Sequence, residues 1–121
     1  METKKQKGDK GEDIAAQYLE KKGYKILNRN WRFFHKELDM VAKYNNELII
    51  VEVKTRMAGS LILPQEAVNK KKQRFIIDAA NSYIEKHNVN LDVRFDIVTI
   101  VYNANNIEIE HIENAFYPRV K

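Results

Sequence analysis

Asp39, Glu52 and Lys54 stand inside otherwise apolar runs, Glu37-Leu38-Asp39-Met40-Val41-Ala42 and Leu48-Ile49-Ile50-Val51-Glu52-Val53-Lys54. Charged groups in such strands are costly to bury unless they are paired or bound to a metal. Between the runs lie Asn45 and Asn46, residues that tolerate the positive backbone angles of a tight hairpin. If these two form the turn, Tyr44 faces Glu47, and opposed residues have numbers that sum to 91. Asp39 then lies opposite Glu52 and Glu37 opposite Lys54, and strand alternation puts all four on one face of the sheet. Opposed side chains start roughly 5 Å apart at Cβ, close enough for two carboxylates to share one divalent cation. A one-residue bulge would break this register. Ligands that are all oxygen favour Mg²⁺ or Mn²⁺ over zinc. Such an ion lowers the pKa of a bound water and neutralises phosphate charge, while a neighbouring lysine stabilises charge that develops in the transition state. The alternative is a buried salt-bridge ladder in which the acids pair with Lys54 and Arg56 and serve only the fold.

The elements that would position these residues are readable from periodicity. Asp9 followed by Glu12 resembles a capping box and predicts a helix to about Lys22, with Ile14, Ala15, Tyr18 and Leu19 on one face and Gly23 as the stop. A first strand spans Tyr24 to Arg32, and the hairpin strands span Glu37 to Tyr44 and Glu47 to Thr55. The third strand is apolar on both faces and should be central. Arg56 to Pro64 reads as a loop with small residues at Ala58, Gly59 and Ser60. A long helix follows over about Gln65 to His87, with a break near Asn69 and a stripe of Phe75, Ile76, Ala79, Ala80 and Tyr83. Val93 to Tyr102 is another interior strand. After a turn at Asn103 to Asn106, Ile107 to Ile112 forms a half-exposed edge. The fold class is therefore α/β: a single mixed sheet flanked by helices, in the order helix, three strands, helix, strand, plus a C-terminal edge strand.

A chain of 121 residues fits one domain, and the absence of cysteine excludes a disulfide scaffold and thiolate zinc sites. The charged N-terminus has no signal-peptide character and no apolar run is long enough to span a membrane, so the expectation is a soluble, cytoplasmic protein without a membrane partner. Charge is uneven. Residues 1–75 carry 17 Lys and Arg against 10 Asp and Glu, and the remainder 4 against 7. A basic first part suits contact with a polyanion, although many proteins of similar pI touch no nucleic acid.

The same residues carry a resemblance. Glu37-Leu38-Asp39 and Glu52-Val53-Lys54 are similar to the acid and E-x-K elements of the PD-(D/E)XK nuclease superfamily. Nearly the whole chain resembles the YraN-like family, bacterial proteins of unsettled function regarded as candidate endonucleases and related to Holliday junction resolvases. The match includes Gly8-x-x-Gly11-Glu12, Asn30-Trp31-Arg32, Lys72-Gln73 and Arg94-Phe95-Asp96. It departs at Lys36, where the family often has glycine, which leaves Glu37 less fixed than Asp39. The resemblance implies a restriction-endonuclease-type αβββαβ core and a metal site of Asp39 and Glu52, with Lys54 beside it and Glu12 reaching in from the first helix.

Glu12 falls at the margin of the first helix's apolar stripe, where it could face the sheet or simply stabilise the helix start. Lys72 stands in line with Ile76, Ala79 and Tyr83, and either snorkels outward or turns its ammonium toward the acids. Glu37 pairs with Lys54, stands behind the ligands or joins them. Arg56, Lys70, Lys72 and Gln73 are candidate nucleic-acid contacts, with a solvated helix start as the plainer reading for Lys70 to Lys72 and Arg74. Trp31, Phe33 and Phe34, interleaved with Arg29, Arg32 and Lys36, match a base-stacking pattern, with core or rim packing favoured. His35, His87 and His111 share no ligand spacing and read as surface residues.

The leading expectation is a Mg²⁺- or Mn²⁺-dependent endonuclease acting on DNA, including branched or structured DNA, with catalytic Glu12, Asp39, Glu52 and Lys54. A homodimer is one way in which such a protein cuts two strands. A rival is a non-catalytic nucleic-acid-binding module that keeps the acidic pocket. A third reading is a protein-interaction domain, which would gain no stability from metal.

Overall fold

The computed structural model describes residues 4–59 and 68–118. Its elements are α1 (Lys4–Lys21), β1 (Lys25–Phe33), β2 (Lys36–Tyr44), β3 (Glu47–Met57), α2 (Lys70–His87), β4 (Asp92–Asn103) and β5 (Asn106–Phe116). The strands form one sheet in the order β1-β2-β3-β4-β5. Pairing is antiparallel except between β3 and β4, which run parallel because the chain returns through α2. This is the α/β order expected from the sequence, with β3 central and β5 at an edge.

The local signals act as anticipated at several points. Asn45 and Asn46 both adopt positive φ, 50° and 67°, the requirement of a two-residue type I′ turn. The β2–β3 register follows: Tyr44 faces Glu47, Val41 faces Ile50 and Met40 faces Val51. Gly23, at φ 95°, ends α1, and the Tyr24 amide donates back to the Leu19 carbonyl at 3.0 Å. At the end of α2, Asn88 takes the same left-handed role at φ 53°.

Several boundaries differ. Strand β3 runs on through Arg56 and Met57, which the sequence reads as loop, because it keeps pairing with β4 there, and β5 continues to Phe116 rather than ending at Ile112. Helix α1 begins at Lys4, so Asp9 and Glu12 are interior and form no capping box. Lys4, Lys5, Gln6 and Lys7 are good helix formers, and the helix tolerates Gly8 at a cost of about 1 kcal/mol. The break near Asn69 is the start of α2: its side chain accepts the Lys72 amide at 2.9 Å as an N-cap. The helical stretch expected at 65–67 and the loop at 60–64 lie outside the described residues.

Each face of the sheet has its own core. Ala15, Ala16 and Leu19 of α1 pack with Met40, Ala42, Ile49, Val51, Val98 and Ile100. Ile76, Ala79, Ala80 and Tyr83 of α2 pack on the opposite face with Leu38, Val41, Leu48, Ile50, Phe95 and Ile97. Side chains of β3 therefore alternate, so Glu52 and Lys54 continue the row that faces α2.

Along β2 the alternation is interrupted. Leu38 and Val41 both join the α2-side core although they are three residues apart. The facing strand β1 slips at the same level: Asn28 contacts Tyr83 of α2, Arg29 reaches Asp13 of α1, and Trp31 returns to Tyr83. Between them, Asn30 adopts φ 51°, which Asn tolerates better than most residues. The paired β2–β3 register runs no further than Met40 and Val51, so the strands part at Asp39.

Gly11 lets α1 approach β3 at this level. A Cβ there would stand 2.6 Å from Cγ2 of Thr55, closer than real contacts allow. Elsewhere in a helix, Gly→Ala gains about 1 kcal/mol. Here Gly11→Ala should instead destabilise the protein by about 1–3 kcal/mol through overpacking. In a Thr55→Ala background the sign should reverse, and thermal melts of the four variants of this cycle measure it. Additive effects would show that the two sites do not touch.

Candidate active site

Asp39 occupies the point where β2 leaves β3. Its carboxylate accepts the Val53 amide at 3.0 Å, a donor beyond the end of the ladder, so the acid bridges the parting strands. The side chains of Asp39 and Glu52 lie within hydrogen-bonding reach of each other, as the hairpin register anticipates. Glu52 is almost fully buried, and its neighbours are cationic: Lys54 Nζ at 3.7 Å and Lys72 Nζ at 3.6 Å from Oε2. Lys72 thus turns its ammonium toward the acids while remaining partly exposed.

Glu12 of α1 interacts with Asp39 alone of these acids. Its Oε1 is buried and has no hydrogen-bond partner among the described residues. Burial and then the Asp39 charge raise its pKa above the usual carboxylate range, against the pull of Arg29 and a hydrogen bond with Asn30. Glu52 is pushed up to about 8, first by burial and then by the charge and hydrogen bond of Asp39, with Lys72 and Lys54 opposing. Burial and the Asp39 charge thus favour the neutral form of both carboxyls, and at Glu52 the two lysines offset this only in part.

The described residues contain no group of three or more His, Cys, Asp and Glu side chains poised around one ion position. The observations still fit a cation held by two carboxylates. Asp39 and Glu52 interact directly, and a buried Glu12 oxygen without a hydrogen-bond partner among the described residues belongs to a carboxyl that senses the Asp39 charge. Mg²⁺ is commonly held by one or two carboxylates, with water and substrate phosphate completing its shell.

Other sequence expectations separate here. Glu37 does not reach Lys54; it is exposed and pairs with Arg32 of β1 at 3.5 Å, because β2 slips between Leu38 and Val41. Arg56 pairs with Glu110 at 3.1 Å, and the side chain of Gln73 donates to the Val68 carbonyl at 2.9 Å. Both are occupied within the fold. Lys70 is exposed at the start of α2. Trp31 is buried against Tyr83, whereas Phe34 is 86% exposed.

His111 is not a surface residue. Its side chain is 3% exposed and Nε2 lies 2.8 Å from Oδ2 of Asp96, which is itself fully buried. An ionised carboxylate only accepts, so Nε2 carries the proton and Nδ1 accepts from Lys22 Nζ at 2.9 Å. Arg94 binds the same carboxylate through Nε and Nη2, at 2.9 and 2.8 Å. The sequence signal was available: Asp96 is a charge between Phe95 and Ile97, the kind of placement that marks Glu52.

The fold and this centre define a class: an α/β protein with an acid pair and two lysines where two strands of a mixed sheet part. The chain belongs to the uncharacterised protein family UPF0102, whose pattern matches residues 11–100, a stretch that takes in Glu12, Asp39, Glu52, Lys54, Lys72 and Asp96. This is the family that the sequence resemblance names YraN-like. A UPF0102 protein of Phocaeicola vulgatus is 51% identical over 113 residues, covering 93% of each chain. One from Bacteroides fragilis is 51% identical over 111 residues, covering 92% of each chain. Another, from Flavobacterium psychrophilum, is 41% identical over 110 residues, covering 91% of this chain and 92% of its own.

Proposed function

We propose that the protein is a metal-dependent endonuclease of the PD-(D/E)XK superfamily, hydrolysing phosphodiester bonds in DNA, including branched or structured DNA of the kind that Holliday junction resolvases cut. The observation that carries this reading is the contact between Asp39 and buried Glu52 at the strand split, with two lysines aimed at it. Asp39 and Glu52 would hold Mg²⁺ or Mn²⁺, and the ion would supply an activated water and charge neutralisation on the phosphate. Asp39 is oriented for this by the Val53 amide. Glu12 would accept hydrogen bonds from water at the ion or complete its shell. Lys54, fixed on β3 beside Glu52, would stabilise charge on the phosphate as the bond breaks.

Incubation of the purified protein with single-stranded, duplex and junction DNA in Mn²⁺ or Mg²⁺ tests this. Cleavage is expected from the natural chain. It should fall by about 100-fold or more in Lys54→Met and disappear in Asp39→Ala and Glu52→Ala. Cleavage that survives unchanged in both acid variants would sink the proposal.

Lys72 favours a second reading. Together with Lys54 it pairs with Glu52, an arrangement that also suits a nucleic-acid-binding module without turnover. That reading predicts salt-sensitive DNA binding with no cut product.

A further inference from the structure

Phe34 lies at the tip of the β1–β2 hairpin and is 86% exposed. It adopts φ 58°, a left-handed conformation that glycine or asparagine takes readily and a bulky aromatic does not. The position is thus unfavourable in backbone conformation and in hydration. Strained residues that persist in a fold point to use. The tip is otherwise well anchored. Phe33 stacks on buried Trp31, with centroids 6.0 Å apart, and Lys86 lies 4.8 Å over the Phe33 ring. Phe34 meets Phe33 edge to face at 4.6 Å.

The hairpin is tied to α2 by Lys36, whose Nζ lies 3.0 Å from Ser82 Oγ and 3.2 Å from Asp78. On the same helix Phe75 is 41% exposed, and its ring centroid lies 6.4 Å from that of His35. One turn earlier Lys72 reaches Glu52. At 1.5 Å per residue, the axis from Lys72 to Phe75 and Asp78 covers about 5 to 9 Å. That is the length of about one and a half to two and a half stacked nucleotides at roughly 3.4 Å each.

The geometry points to Phe34, with His35 and Phe75 beside it, as a stacking platform for an unpaired base of a nucleic-acid strand whose phosphate reaches the acid pair. Charge identifies the occupant. Arg74, next to Phe75, is exposed and Lys86 lies over the Phe33 ring, while Arg32 and Lys36 are held in ion pairs with the exposed Glu37 and Asp78 that a phosphate can displace. Aromatic faces with flanking cations are how single strands are held without sequence preference. The inference rests on the nucleic-acid reading above and narrows its substrate class to strands with unpaired bases next to the cut phosphate, as in flaps, bubbles and junction branch points.

Fluorescence anisotropy in chelator tests it, with a labelled oligothymidylate of roughly 15 nucleotides and a duplex of the same length. The natural chain should bind the single strand more tightly. Phe34→Ala should weaken single-strand binding on the order of ten-fold and leave duplex binding within about two-fold. Phe34→Gly should weaken it equally yet raise the melting temperature by a few degrees, since glycine relieves the left-handed backbone; a purely structural Phe34 would not separate these two readouts. Unchanged single-strand binding in Phe34→Ala, or equal loss on both probes, would overturn the platform alone. A natural chain that binds neither probe would overturn both the platform and the nucleic-acid reading. Absent cleavage with binding intact would remove only the enzymatic reading.

Discussion

Asp96→Ala should cost about 3–5 kcal/mol of folding stability, the range for removing one partner from a buried ion pair. Asp96 is fully buried and is held by Arg94, by His111 Nε2 at 2.8 Å and by the Asn114 amide at 3.0 Å. Burial alone would raise its pKa, yet these donors hold it below the ordinary aspartate value. Its contribution is therefore present above the unfolded value of 3.8 and is lost as pH falls through the lower folded value. Without the carboxylate, Arg94 keeps contacts with Tyr24 at 2.6 Å, Glu113 at 3.1 Å and Glu47 at 3.4 Å. None of them replaces its bidentate partner, and the Asn114 amide loses its acceptor. Urea unfolding at neutral pH, read as a fall in midpoint at unchanged slope, measures the loss. The double variant Asp96→Leu with Arg94→Met should recover part of it, because the buried ion pair is replaced by apolar groups while His111 Nε2 and the Asn114 amide still lack an acceptor. A loss below about 1 kcal/mol in Asp96→Ala would mean that the network behaves like an exposed ion pair.

This network and the acid pair were unequally legible in the sequence. Local turn chemistry fixed the Asp39 and Glu52 contact: two asparagines set the hairpin, the hairpin sets the register, and the register runs true to Met40 and Val51. The same rule misplaced Glu37, because alternation along β2 slips between Leu38 and Val41, opposite the stretch of β1 where Asn30 adopts a positive φ. No pattern within β2 announces it. His111 was missed for a related reason. Its partners Asp96 and Lys22 are distant in sequence and meet it only once β5 pairs with β4 and α1 covers that face. The α1 start failed differently, since Asp9 and Glu12 satisfy a capping template but the residues before them already favour helix. Lys72 could be assigned to a helix face from spacing, but its choice between solvent and Glu52 depends on how α2 sits over β3. In general, signals confined to one hairpin or one turn were readable, and side chains whose partners come from three elements were not.

Glu52→Gln should make the metal-free protein more stable at pH 8 to 9 and abolish its response to a divalent ion, two effects of opposite sign. Glu52 is raised from 4.5 to about 8 by burial and by Asp39. Below pH 4.5 both folded and unfolded chains carry the proton, and the favourable contribution of the neutral carboxyl is fully present. Between 4.5 and about 8 the unfolded chain ionises first, so stability falls as pH rises, and above that the loss is complete. At about 1.4 kcal/mol per pKa unit, the whole change amounts to a few kcal/mol. Glutamine keeps the shape and cannot ionise, so the difference in melting temperature between variant and natural chain should be small near pH 4 and grow toward pH 8. Taking the difference cancels groups such as Asp96 that titrate in both proteins. A divalent ion reverses the ranking, because it binds the ionised carboxylate and stabilises the fold by mass action. At pH 8, Mn²⁺ in excess should raise the melting temperature of the natural chain and leave Glu52→Gln unmoved. Parallel pH profiles would show that Glu52 titrates normally, whereas an equal Mn²⁺ shift in both proteins would place the ion away from Glu52. A steep profile with no Mn²⁺ response at all would leave a strained buried acid held by Lys54 and Lys72, the arrangement expected of a binding module rather than an enzyme.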